Sequence, residues 1–428
     1  MVYGNPFSIN HLPLSIMHIL IVHQAFASLD EPGGTRHHEF ARLLVSRGHQ
    51  VTVIASSISY LTGASSHPSA LPAGKGQGRR AEPVEAVRVI RAPVYDAHHK
   101  SFFHRVIAFF SFMISSFWIG LRVKNVNIVW GTSPPIFQGV TAWVLARIKR
   151  AKFLFEVRDL WPQFAIAVGV LKNPALIFLS TWLERFLYRQ SDRVVVNSPG
   201  FLDHVLSVGA KRAILIPNGA DPLMFDPNRA GDLFHQSHGL KDKFIALYAG
   251  AHGMSNDLQI VLESARLLAG KNIQIVFVGD GKEKPALIAQ AKEMKLTNVT
   301  FLSSVPKNEM PNALAGADAC IAILKSLEEY KRTYPNKVFD YMAAGKPVAL
   351  AIDGVIREVV EAAGCGFFAE PGNPSALADI ILRLAEDKIQ AREMGLKGRK
   401  YLEENFSREK VVDQLLSLLE DMAKEKQR

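Results

Sequence analysis

The chain has 428 residues, of which 48% are hydrophobic and 21% charged, with 30 Gly and 22 Pro spread along it; this excludes a short peptide, a fibre and a disordered chain, and predicts two or three globular domains. The formal net charge is +10 and is uneven, since residues 1–200 hold 21 Lys and Arg against 10 Asp and Glu while residues 201–428 hold 29 against 30. Such asymmetry implies either an anionic partner met by the first half alone (a phosphorylated substrate, acidic lipid or nucleic acid) or a plain solvated basic face.

Residues 1–16 read as an irregular extension with no charged-then-apolar leader pattern, so export is not expected. From Met17 onward, short β-branched runs alternate with segments of helical period, the pattern of parallel sheets covered by helices. His18–Val22 (HILIV) is the first expected strand and GGTRHHEFARLLVSRGH the helix behind it. Val51–Ala55 follows, then a polar Gly/Pro/Ser-rich loop over Thr62–Pro83, then strands at Val87–Ile90, Val126–Trp130, Lys152–Val157 and Val194–Asn197. Between them, Val106–Leu121 holds sixteen uncharged residues flanked by Arg105, Arg122 and Lys124. It is short for a membrane span. Six of the 25 Phe lie within Ser101–Gly120, so an interfacial helix on acidic lipid, carried by Phe109, Phe110 and Phe112, stands beside a buried core helix.

Leu215–Pro227 (LIPNGADPLMFDP) reads as the domain boundary. A second alternating series follows with FIALYAG, IQIVFVGDG, VTFLSSV, ACIAIL, PVALAI and GFFAE. The expected organisation is one domain over 17–220, a second over 221–405, and a charged, Leu-bearing helix over 406–428 that crosses back to the first. Ligands are then expected at the carboxyl ends of the strands, in the cleft between two doubly wound α/β domains. Cys320 and Cys365 form no CxxC pair, zinc-ligand spacing or disulfide framework, which fits a reducing, cytosolic setting.

Gly33 and Gly34 open the first helix, where bare backbone approaches a phosphate or carboxylate closely or simply turns the chain. Arg36, His37 and His38 follow on the first turn as donors or ordinary surface residues. EVRDLWP places Glu156, Arg158 and Asp159 at a strand end facing the cleft. Three ionisable groups there imply a ligand, a network, or a structural Arg158–Asp159 pair. In the second domain Gly250, His252 and Gly253 follow the first strand. Tyr330–Val348 (YKRTYPNKVFDYMAAGKPV) carries Lys331 and Arg332, then Pro335 before a helix whose first amides, over Asn336–Val338, lack intrahelical partners. Lys337 and Asn336 lie one turn from Asp340, so one face could offer cations to a diphosphate and a carboxylate to a ribose; a solvated charged loop is the alternative.

These residues resemble retaining glycosyltransferases of family four, which have the GT-B fold of two facing Rossmann-like domains. The resemblance runs from Met17 over nearly the whole chain, through GGTRHHEFARLLVSRGHQVTVIAS, the SPP at Ser133–Pro135, EVRDLWP, LIPNGAD, VGDG and above all PNKVFDYMAAGKPV, and is greatest to bacterial enzymes that add amino-deoxy sugars such as N-acetyl-fucosamine to O-antigen and capsule. It implies a nucleotide-sugar donor, UDP-linked, held by the second domain at Gly250, His252, Gly253, Lys331, Arg332, Asn336, Lys337, Val338 and Asp340 with Gly33 and Gly34. A lipid-linked glycan acceptor is expected at Arg36, His37 and His38, with Asp159, Arg158 and Glu156 as the catalytic group. No metal, cofactor or nucleic acid is expected, and the chain is expected to be cytoplasmic, peripheral on the inner face of the cytoplasmic membrane. The family's ribose carboxylate falls on Asp340, its earlier Glu on Arg332, and its basic diphosphate pair on Ala251 and Asn256. Two other outcomes remain open: a sugar-nucleotide 2-epimerase of the same fold and a catalytically silent assembly scaffold.

Overall fold

In the computed structural model, residues 16–58, 87–96 and 102–425 are described; the expected Thr62–Pro83 loop and residues 1–15 of the expected extension lie outside them. Seven strands form the first sheet: β1 (His18–Val22), β2 (Gln50–Ser56), β3 (Arg88–Ala92), β4 (Ile128–Ser133), β5 (Lys152–Val157), β6 (Arg193–Val196) and β7 (Ala213–Leu215). Their order is β3-β2-β1-β4-β5-β6-β7, parallel throughout. Six more form the second: β8 (Phe244–Ala249), β9 (Ile273–Val278), β10 (Val299–Leu302), β11 (Ala319–Ile323), β12 (Val348–Ala351) and β13 (Gly366–Phe368). That order is β10-β9-β8-β11-β12-β13, again parallel.

The continuous apolar runs are explained by burial on both sheet faces, with alternate residues feeding different cores. Along β1, Ile19 and Ile21 pack with Trp130 and Leu154, whereas Leu20 and Val22 pack with Val129 and Phe155. Along β8, Ile245 and Leu247 share a core with Val338 and Met342, whereas Ala246 and Tyr248 share the other with Phe277 and Leu262. Each sheet reverses its strand order once, between β1 and β4 and between β8 and β11, and the carboxyl ends there define the ligand-binding edge of such folds.

The edge strand β7 was hidden in the sequence because it is three residues long and runs at once into Pro217. Beyond it the chain passes to the second sheet. It returns where Ala220 bridges Ser407, after which helix Arg408–Lys424 lays Val411, Leu415, Leu419 and Met422 into the core of Met17, Ile19 and Phe40. Arg408 is buried at this return. Its Nε lies 2.6 Å from Glu39 Oε2, and its Nη2 donates to the Gly219 carbonyl at 2.6 Å. Burial would push the Glu39 carboxyl up, but Arg408 and then Lys307 overcome it and hold it at about 2.

The Phe-rich segment is one helix, Phe102–Arg122. No helix of the described residues is long and apolar enough to cross a membrane. The expected Phe109, Phe110, Phe112 face is corrected: Phe112 is fully buried and Phe109 stacks on Phe137, leaving Phe110, Ile114 and Trp118 exposed one turn apart.

Removing Arg408 leaves Glu39 as an unpaired buried charge, so Arg408→Ala should cost about 3–5 kcal/mol in urea unfolding. A loss below about 1 kcal/mol would show that the Thr35 hydroxyl and the field of Lys307 sustain the Glu39 charge without Arg408.

Candidate active site

The carboxyl ends of the two sheets face each other, and several contacts close the gap. Ser198 Oγ donates to the Arg332 carbonyl at 2.6 Å, Asn218 Nδ2 to the Tyr334 carbonyl at 2.7 Å, and the Asn308 amide to the Leu29 carbonyl at 3.0 Å. Phe164 meets Tyr330 edge-on, with 5.5 Å between ring centroids. Gly200 is required at this seam, since a Cβ there would stand 2.6 Å from the Arg332 Cα.

On the first-domain wall, Glu156 at the end of β5 is fully buried. Its Oε1 accepts from Arg36 Nε at 2.9 Å and its Oε2 from His37 Nε2 at 2.5 Å and Trp130 Nε1 at 3.2 Å. Burial alone would raise this carboxyl; His37 and Arg36 outweigh that and hold it well below the ordinary carboxylate range. Arg36 also donates to the carbonyls of Pro217 at 2.6 Å and Ile216 at 2.7 Å. Glu156, Arg36 and His37 therefore form a buried network that cannot touch a substrate in this arrangement, which corrects their expected catalytic and acceptor-side placement. His37 Nε2 donates to the carboxylate, and its Nδ1 has no partner. His38 is half-buried beside Phe26.

Arg158 and Asp159 are not joined by an ion pair among the described residues. Arg158 Nη2 instead donates to the Pro134 carbonyl at 2.8 Å. Asp159 has exposed surface, yet the protein around it pushes its carboxyl up to about 6 against the opposing charge of Arg158. Gly33 and Gly34 are exposed just before the helix that starts at Arg36. On this wall, Asp159, His38 and the glycine backbone are what a cleft ligand can reach.

On the second-domain wall, β8 runs into Gly250–Gly253. A Cβ on Gly279 would collide with the Gly250 carbonyl, and at φ +155° this position suits glycine alone. His252 is enclosed by Tyr248, Phe277 and Phe301. Burial, with Lys284 next, lowers it to about 4, so the ring is neutral, and neither ring nitrogen has a partner. Gly253 leads into the short turn Met254–Asn256.

Helix Asn336–Ala343 carries the remaining groups. Lys337 Nζ donates to Tyr248 Oη at 2.8 Å and to Asn256 Oδ1 at 3.0 Å, lying 4.2 Å from the Tyr248 ring centroid. Burial lowers its ammonium to about 7. Asp340 turns elsewhere: its Oδ2 lies 2.6 Å from Lys307 Nζ, while its buried Oδ1 has no partner. The expected grouping of Asp340 with Lys337 and Asn336 is thus corrected, and Lys307, to which no sequence motif pointed, belongs to the site. Val338 is also corrected: its side chain is core, and its amide donates to the Pro335 carbonyl at 3.1 Å. Asn336 keeps a buried Oδ1 without a partner. Lys331 is drawn to Glu328 at 2.6 Å and Asp353 at 3.9 Å, and Arg332 is exposed at the seam.

Two parallel, doubly wound domains that meet across a cleft lined by these groups define the GT-B class. Residues 33–219 match the family described as glycosyl transferase 4-like domain, and residues 232–401 match glycosyl transferases group 1. The chain belongs to these glycosyltransferases. It is 24% identical over 396 residues to the Escherichia coli (strain K12) protein described as colanic acid biosynthesis glycosyl transferase WcaI, covering 89% of this chain and 94% of that one. Among solved structures, sucrose-phosphate synthase from Thermosynechococcus elongatus superposes with a TM-score of 0.73 at 17% identity, over 95% of this chain and 99% of that chain. Anabaena HepE in complex with UDP gives 0.69 at 16% identity, over 95% and 100%.

An ammonium that titrates near 7 when free would meet a diphosphate only in its protonated form. Affinity for UDP-glucose, whose diphosphate diester does not titrate here, should fall as pH rises above about 7. In Lys337→Met the dependence should vanish. A wild-type affinity flat from pH 6 to 8.5 would remove Lys337 from the phosphate site.

Proposed function

We propose that the protein transfers a sugar, of the N-acetylated amino-deoxy type, from a UDP-linked donor to a lipid-linked glycan acceptor in bacterial surface polysaccharide assembly, with retention and without a metal, at the inner face of the cytoplasmic membrane. The observation that carries this reading is one helix bearing two unsatisfied groups of opposite kind. Lys337 is a buried ammonium with no carboxylate partner, matched to a diphosphate, and Asp340 has a free buried oxygen, matched to a ribose diol. The family membership and the colanic acid relative support the class of reaction.

As the sugar–phosphate bond breaks, the anomeric carbon gains oxocarbenium character and the diphosphate gains charge. Fixed positive charge at Lys337 stabilises that change more than a strong base would. The departing phosphate oxygen takes the acceptor proton, and the new bond forms on the face it leaves. Asp159, across the cleft and raised to about 6, orients the acceptor or sugar.

The acceptor's lipid sets the location. No Asp or Glu lies between Asp96 and Glu156, or between Asp159 and Glu184, and Glu184 is buried. Phe110, Ile114 and Trp118 are exposed, Phe110 meets Phe137 and Phe137 meets Trp161, and Phe178 and Trp182 are exposed on helix Pro174–Gln190. Exposed Arg122, Lys124, Arg147, Arg150 and Arg185 lie on the same helices or at their ends. An aromatic face flanked by these cations matches an anionic bilayer surface.

Incubation with a panel of nucleotide sugars and a membrane extract tests the reading: label should move to lipid. A new free sugar nucleotide would mark an epimerase, and no turnover a scaffold. Asp159→Asn should reduce transfer by about a hundredfold, as misplacement of the reacting group does, while leaving UDP affinity unchanged. Lost UDP binding would contradict its role.

Changing Phe110, Trp118, Phe178 and Trp182 together to Ser should leave the fold intact and cut partition onto phosphatidylglycerol vesicles by about a hundredfold or more. Unchanged co-sedimentation would reject the bilayer as the occupant of this face.

A further inference from the structure

We propose that Lys307, on the loop after β10, is a positioning residue for the nucleotide: it grips one oxygen of Asp340 so that the other meets the ribose hydroxyls, and it faces Glu39 of the first domain. The inference rests on the nucleotide reading above and adds to it a residue and a coupling between domains.

Lys307 is 8% exposed and lies 2.6 Å from Asp340 Oδ2, over the Phe225 ring at 5.4 Å. A carboxylate held through one oxygen by a buried cation has a fixed plane, which gives Asp340 Oδ1 one direction in which to accept. The next residue, Asn308, donates its amide across the cleft to Leu29, so the loop that carries Lys307 is seated on the first domain. The charged groups facing Asp340 come from three elements: Lys307 from this loop, Glu39 from helix Arg36–Ser46 and Arg408 from the returning helix. On its own helix, Lys337 is turned away to Tyr248.

Two carboxylates from two domains thus share the field of Lys307. Burial pushes the Asp340 carboxyl up and Glu39 adds to this, with Lys307 the principal opposing charge. Without Lys307, Asp340 faces Glu39 with Arg408 as the remaining cation, and Arg408 is already engaged by Glu39. Its carboxyl is then pushed further up, and a protonated carboxyl is a poorer acceptor for a diol. The consequence is a dependence of nucleoside affinity on pH that a purely structural lysine would not produce.

The test is NMR titration of the full chain with uridine and guanosine, which lack the diphosphate and so bypass Lys337, between pH 6 and 8. Lys307→Met should bind the nucleoside about tenfold more weakly than wild type at pH 6 and recover as pH rises to 8. Lys307→Arg should stay within about threefold of wild type at each pH. Lys307→Gln should share the pH dependence, which keeps the measurement available if the methionine variant does not fold. Asp340→Ala should be weak and independent of pH, and adding Lys307→Met to it should cost no further affinity. Lys307→Met and Lys307→Gln binding like wild type at every pH would overturn the inference and leave the nucleotide reading standing, as would additive losses in the double variant. Wild type binding neither nucleoside would overturn the nucleotide reading, and the inference with it.

Discussion

A carboxylate without exposed surface stands at the end of β5, and much of the first domain's inner wall is arranged around its charge. Glu156 is stable as an anion there because Arg36 and His37 donate to both its oxygens. An unpaired buried carboxylate would cost several kcal/mol. Arg36 in turn spends its remaining donors on the carbonyls of Ile216 and Pro217, where the chain leaves the first sheet. One ion pair therefore fixes the first helix, the fifth strand and the exit of the chain relative to one another. It also draws three polar residues out of the cleft, leaving Asp159 as the accessible carboxylate at the end of β5.

The opposite wall is built on the reverse principle. Lys337 and Asp340 are desolvated without full compensation, the first by neutral partners and the second through one oxygen. Native interiors satisfy their buried polar groups almost completely, so groups left short of partners mark where a ligand completes the set. A charge-paired network on one side thus holds the shape against which a charge-deficient one on the other can bind.

The layers of this fold were legible in the sequence because parallel strands buried on both faces are written as apolar runs, and HILIV, KFLFEV and IQIVFV each became a strand. Direction was less legible. Arg36, His37 and His38 read as donors on a polar first turn, but Arg36 and His37 point inward and His38 is half-buried, since that turn lies between β1 and the exit at Ile216. Lys337 and Asp340, three residues apart on a helix, read as one face. One reaches back to Tyr248 and the other across to a loop 33 residues earlier in the chain. No local pattern singles out Lys307, because only the pairing of β10 with β9 brings its loop to that helix. Helix Phe102–Arg122 likewise carries no charge between Arg105 and Arg122 that would say Phe112 turns in and Phe110 turns out.

The paired passage of the chain between the domains, out through Gly219 and Ala220 and back through Phe406 and Ser407, has a mechanical consequence. The two passes run side by side and are joined by hydrogen bonds from Ala220 N to Phe406 O at 3.3 Å and from Arg408 N to Ala220 O at 2.9 Å. Two pins set next to each other define an axis. Rotation about that axis would strain neither pass, whereas twisting or sliding would stretch both, so any opening of the cleft would follow a door's swing and not a ball joint's. A hinge of that kind would lead Ser198 back onto Arg332 and Asn308 back onto Leu29 along one path.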